Sequence, residues 1–205
     1  MRPYFWIFVA FAVVACGRAP EETAVTDESI KKSIDEFQNR RIYRRLDPSI
    51  LASIPDDKVE LAIIDYVHGK LDGRYEDEPK VLSALPAGIR ALYVTWGVEA
   101  EVNNGGFNQY YWNSAGQFAN DAVAAFEFFS AHKHAQLMQE ANGIRAEERA
   151  EIDKFQEEAT IEAFSESYEV SKLGPLDDRF YKLDENISAL RIAKIRSEPG
   201  LFSGE

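Results

Sequence analysis

The side chains of this protein that could do chemistry are few, and their spacing suits little of it. His132 and His134 stand two residues apart, which on a helix turns them to different sides and argues against a shared metal ion. His68 falls near an apolar face, where a histidine is more often a core or boundary residue than a ligand. Glu99 and Glu101 have no histidine at metal-site spacing. Asp177, Asp178, Asp184 and Glu185 are close-set acids that could in principle hold a cation, yet they lack the glycine, loop length and bidentate glutamate of a calcium loop. Because acids favour helix N-termini, a solvated face around helix starts is their expected role. No nucleophile has an adjacent base. The pattern predicts no catalytic residue, no metal and no cofactor.

A second kind of chemistry, recognition, is concentrated in residues 96–116, WGVEAEVNNGGFNQYYWNSAG. Gly105 and Gly106 permit backbone angles closed to other residues, so one helix can end and the next begin at a sharp corner. Asn103 and Asn104 can cap those ends with their amides. Phe107, Tyr110 and Tyr111 go inward, while Asn108 with Trp112, and Gln109 with Asn113, lie one turn apart on other faces. Glu101 precedes the corner by one turn. Two readings follow: a packed corner whose amides satisfy backbone groups, or a small polar and aromatic pocket for a peptide or sugar, which would make the protein an enzyme or a binding module.

The elements that must position this stretch have helical periodicity almost throughout, and the expected fold is all-α, a single-domain irregular bundle of about six to eight helices. A first helix starts at Thr26 or Asp27, carries Ile30, Ile34, Phe37 and Arg41 on one stripe, and is ended by Asp47-Pro48. A second starts at Pro55, Asp56 and Asp57, faces inward through Leu61, Ile64, Val67, His68 and Leu71, and stops at Gly73. Residues 73–79 read as a loop, and Pro86 opens a third helix through Ile89, Leu92, Tyr93 and Trp96 to about Asn103. After the glycine corner come a central apolar helix over 120–140 with Asn142-Gly143 as its stop, a polar helix over 146–160, and a last unit after Gly174-Pro175 that ends near Arg196.

The N-terminus carries a different signal. Arg2, an uncharged apolar run over 4–15 and Val13-Val14-Ala15-Cys16 make a charged n-region, an h-region and a small-residue cleavage site. The run falls short of the about 20 apolar residues that span a bilayer. The four residues resemble the bacterial lipobox, which implies a signal peptide over 1–15 and acylation of Cys16, the protein's only cysteine. Residues 16–28, with Pro20, Glu21 and Glu22, read as a flexible tether. The expected location is the cell envelope, with Gly17 rather than an aspartate favouring the outer membrane facing the periplasm.

The formal net charge is -12, unevenly spread. Lys31, Lys32, Arg40, Arg41, Arg44 and Arg45 form one basic segment, whereas acids outnumber bases from Glu140 onward, with Glu147, Glu148, Glu157, Glu158, Asp177 and Asp178 as the expected acidic surface. Such a domain is expected to repel nucleic acid and anionic lipid headgroups and to attract basic proteins or divalent cations, with plain solubility as the alternative reading of the charge.

Residues 96–116, together with LDDRFYKLDEN at 176–186, resemble the C-terminal domain of the bacterial DNA-mimic protein family over roughly residues 81–203, leaving 29–80 as an additional helical part. The resemblance implies an all-helical, non-enzymatic interaction domain. It also implies a dimer, and carboxylates displayed in a DNA-like array that occupies a DNA-binding protein. Export would deny the domain such a partner. The expected function is therefore an envelope lipoprotein that holds an unidentified basic protein, with DNA mimicry as the reading for a chain that is not exported.

Overall fold

The computed structural model describes residues 27–204, so Cys16, the expected signal peptide and most of the expected tether lie outside the described residues. The chain forms two compact units that meet in sequence at Arg40 and Arg41. In the first, α1 (Asp27–Gln38) keeps Ile30, Ile34 and Phe37 exposed.

The second unit contains nine further α-helices and short 3₁₀ turns, with no strand among the described residues. The all-α expectation holds; the helix count exceeds it because several segments are cut differently. Asp47-Pro48 opens a helix instead of closing one. Asp47 accepts the backbone N–H groups of Ser49 and Ile50 at 3.0 and 2.9 Å, and Pro48 takes the first position of α2 (Pro48–Ser53), where no N–H is needed. In α3 (Asp56–Leu71) Val59, Ile63, Ile64, Val67 and Leu71 are buried, a broader face than the expected one, with Leu61 and His68 half-buried. It ends on left-handed Asp72 and Gly73.

Residues 73–79, expected to be a loop, hold a 3₁₀ turn at Tyr75–Asp77 and the start of α4 (Glu78–Ser83). Glu78 is buried there because its carboxylate has two donors, the Tyr93 hydroxyl and the Gln117 amide. The central element is α5 (Ala87–Trp112), bent at Gly105 and Gly106 and packed against α3, α6, α9 and the final 3₁₀ turn (Pro199–Phe202).

The stretch expected to be one helix over 120–140 and another over 146–160 divides elsewhere. α6 (Ala119–Phe128) stops before Ser130, whose φ is 59°, and α7 (His132–Glu158) runs straight through Asn142 and Gly143. Asn142 reads as a stop locally, but its amide accepts from the Tyr111 hydroxyl at 2.7 Å and donates to the Ala119 carbonyl at 2.8 Å. Those tertiary bonds engage it inside the helix. α8 (Ile161–Val170), capped by Thr160, folds back on α7. α9 (Gly174–Tyr181) and α10 (Ile187–Ser197), the latter capped by Asn186, complete the unit. Leu46 and Gly204 close it by exchanging two backbone hydrogen bonds of 2.8 Å. No helix among the described residues is long and apolar enough to cross a membrane.

Arg191 of α10 is 1% exposed and lies among three elements. Its guanidinium donates to Glu60 of α3 at 2.9 Å, to Glu99 of α5 at 2.7 Å and to the Thr95 hydroxyl at 3.2 Å. A buried guanidinium is tolerable only when charge and donors are met together, as here. Replacing Arg191 by Met should lower the urea-derived unfolding free energy by about 3 kcal/mol or more, since two carboxylates then face a vacated site. An unchanged midpoint would mean that the cluster contributes nothing to stability.

Candidate functional site

The corner predicted from the two glycines is real, and its geometry separates their roles. Gly105 has φ -159°, an extended angle any residue adopts, whereas Gly106 has φ 73° and ψ -178°. A Cβ on Gly106 would run into the Asp177 carboxylate, while one on Gly105 would meet the movable end of Gln109. Gly106 is therefore required twice over, by angle and by space.

Breaking a helix frees backbone groups, and the corner satisfies them with side chains from distant sequence. Asp177 accepts the Phe107 N–H at 2.7 Å. The Tyr168 hydroxyl donates to the Gly105 carbonyl at 2.6 Å and the Tyr181 hydroxyl to the Val102 carbonyl at 2.8 Å. Asn103 and Asn104, expected to cap the ends, face solvent instead. Asp177, expected on a solvated acidic face, is half-buried under the corner, while its neighbour Asp178 is exposed. Burial raises the pKa of Asp177, the Phe107 N–H opposes this, and the charge of Asp178 adds to the rise.

Most of the other motif residues are likewise committed to protein partners, the exception being the buried Tyr110 hydroxyl, which has no hydrogen-bond partner among the described residues. Glu101 accepts the amides of Gln109 and Asn113 at 2.7 and 2.8 Å. Asn108 is buried and donates to the Ser167 hydroxyl at 2.7 Å. Phe107 packs edge-on against Phe180, Tyr110 against Tyr111, and Trp112 lies against Phe164 of α8. Burial pushes the Tyr168 hydroxyl up to about 12, with Asp177, Tyr181 and Glu101 adding to it. A groove of about 460 Å³ lies elsewhere, among Leu82, Arg90, Ala91, Phe118, Asp121 and Phe128.

The acids assigned to the surface divide in two. Glu147, Glu157 and Glu158 are exposed, as expected. Glu148 is buried: it accepts the Ser171 hydroxyl at 2.9 Å and the Lys172 N–H at 2.8 Å, tying α7 to the segment before α9. Together Glu147, Glu151, Glu157, Glu158, Glu162, Glu166 and Glu169 make an exposed carboxylate row along the second half of α7 and along α8. Residues 147–169 hold nine carboxylates against two cations, Arg149 and Lys154, so this hairpin carries a large part of the chain's acidic excess.

His132 and His134 do point apart. His132 is exposed beside Glu127, whereas His134 is buried, stacked on Phe126 and bonded through Nδ1 to Glu185 at 2.6 Å. Glu185 also accepts the N–H groups of Lys133 and His134, so it caps α7 from 51 residues away. Its own burial pushes its pKa up, but the bonds from the His134 ring and from those two N–H groups outweigh it and hold the group below the ordinary glutamate value. Among the described residues no cluster of His, Cys, Asp or Glu is arranged to hold a metal ion. Arg191, Glu185 and Asp177 were missed as structural ligands; the only sequence signal was the place of Asp177 and Glu185 in the LDDRFYKLDEN stretch, and Arg191 had none.

An all-helical domain in which two separated motifs lock one another, leaving a large part of the acidic excess on a single hairpin, is the class that fold and site define. The model of the DMP19-like protein family matches residues 83–197, and the chain belongs to that family. No curated protein and no solved structure matches it.

Two outcomes test this geometry. Gly106→Ala should cost about 1–3 kcal/mol in urea unfolding, and Gly105→Ala clearly less, because only the first forces a side chain into positive φ. Equal tolerance of both would remove that distinction. For Glu185, whose folded pKa is lowered, stability is fully present above the ordinary value of 4.5 and is lost as pH falls through the lower folded one. Glu185→Gln should therefore be less stable at neutral pH, and its acid unfolding profile below 4.5 should be flatter than that of the parent.

Proposed function

We propose that the protein is a lipid-anchored envelope protein whose helical domain binds a basic protein through the exposed carboxylates of α7 and α8, without catalysing a reaction. The observation that carries this reading is the carboxylate row from Glu147 to Glu169, on two helices that pack side by side. Successive acids one turn apart, such as Glu147 and Glu151 or Glu162 and Glu166, stand about 6 Å apart along a helix, a regular array of negative charge. Membership of the DMP19-like family supports a binding role and, more narrowly, a DNA-mimic one. The anchor rests on the apolar run and lipobox-like residues before Cys16. If the chain stays in the cytoplasm, the same row occupies the DNA-binding face of a protein, a reading the family match favours independently.

Because exposed charges are screened over roughly 8 Å at physiological ionic strength, binding should weaken steeply with salt. Reversing Glu147, Glu151, Glu157 and Glu162 to Lys should slow association severalfold while leaving the unfolding midpoint nearly unchanged, since exposed substitutions rarely shift stability by more than about 0.5 kcal/mol. Glu148→Lys, by contrast, should unfold the domain. A partner recovered from envelope fractions whose affinity is the same at low and at half-molar salt would defeat the charge mechanism. Full-length chain found unacylated in the cytosol would move the function to DNA mimicry.

A further inference from the structure

We propose that α1 lies in the interface of the membrane that holds the lipid anchor, with Ile30, Ile34 and Phe37 facing the lipid. This rests on the anchor proposed above and adds a second contact to it. The three side chains fall at i, i+4 and i+7, which puts them on one stripe, and they remain 46%, 49% and 45% exposed. Lys32 and Glu36 pair with one another on the far side.

Length decides between the surfaces that could cover such a stripe. A seam between two copies needs apolar positions sustained over three to four heptads, roughly twice what this 12-residue helix offers. A free helix of this length is itself marginal in water. A weak apolar stripe becomes effective when something else already holds it at the surface, because the second contact is then intramolecular and its effective concentration is high.

Position in the chain supplies that. Cys16 precedes Asp27 by eleven residues. Eleven steps reach at most about 40 Å even when fully extended. An acylated Cys16 therefore keeps α1 within about 40 Å of the bilayer surface, where its effective concentration at the lipid is high. α1 itself holds four acids, Asp27, Glu28, Asp35 and Glu36, against Lys31 and Lys32, so the favourable charge comes from the sequence after it, which runs through Arg40, Arg41, Arg44 and Arg45 and meets no acid before Asp47. An acyl chain together with a basic stretch elsewhere in the same chain is a combination that makes a reversible lipid contact stable on anionic membranes.

The acylated full-length protein, reconstituted into vesicles of phosphatidylethanolamine and phosphatidylglycerol, tests this. Acylation consumes the only native thiol, so cysteines introduced singly as Ile30→Cys, Lys32→Cys, Ile34→Cys, Glu36→Cys and Phe37→Cys each carry a unique polarity-sensitive fluorophore. Labels at 30, 34 and 37 should shift to the blue and be quenched severalfold more by a lipid-borne quencher than labels at 32 and 36. Uniform, water-like emission at all five positions would overturn the proposal. Protection at 30, 34 and 37 without lipid quenching, joined by 34-to-34 cross-links between copies, would overturn it in favour of a dimer seam. Mass spectrometry of the mature N-terminus scores the anchor separately. Absence of the acyl mass defeats the anchor and this inference together, whereas an acylated chain without the alternating pattern defeats this inference alone.

Discussion

One hydrogen bond organises the domain: the Asp177 carboxylate accepting the Phe107 N–H at the glycine corner, across 70 residues of sequence. A 26-residue central helix cannot turn without exposing backbone donors and acceptors, and buried unpaired groups of that kind are costly. Asp177 takes the donor, and Tyr168 and Tyr181 donate to the carbonyls. Those three residues come from α8 and α9, so the bend in α5 is also what fixes where these helices can lie. The same stretch continues to Glu185, which caps α7, and Asn186, which caps α10. A short run of sequence thereby sets the start of two helices and the bend of a third.

The order of these commitments bears on function. Every acid that the fold needs (Glu78, Glu99, Glu101, Glu148, Asp177, Glu185) has a protein donor. The exposed row of α7 and α8 has few cations nearby, Arg149 being drawn to Asp153. Like charges on neighbouring helices repel, and such an arrangement persists because Ile152 and Ala163 are buried beneath it.

How much of this was legible depends on whether the signal was local. Helical periodicity showed the class, and two adjacent glycines showed the corner, because backbone freedom is a property of the residues themselves. Pro55, Pro86 and Gly73 marked helix ends correctly for the same reason. Asn142-Gly143 misled because the amide that would stop an isolated helix finds Tyr111 and Ala119 in this one. Ser130 carried no sign of the break that Glu185 enforces from far along the chain. Asp177, Glu148 and Glu185 looked like solvated acids, since nothing in their neighbourhood names a donor tens of residues away. The amides of Asn108, Gln109 and Asn113 stand out in the sequence, but their partners, Ser167 and Glu101, emerge only from packing.

The pairing of Leu46 with Gly204 has a mechanical consequence. The two bonds are antiparallel and join the stretch just before α2 to the last residues described. A pull applied through the chain on the N-terminal side of Leu46 meets this clamp before it can unwind α2. Leu46 itself is buried, and Gly204 sits so close to Tyr66 that a larger residue there would collide with its hydroxyl. The tail of the domain thus works as a strap across the start of α2, so tension applied to the chain before Leu46 would be borne by backbone bonds at the rim before it reached the bend in the central helix.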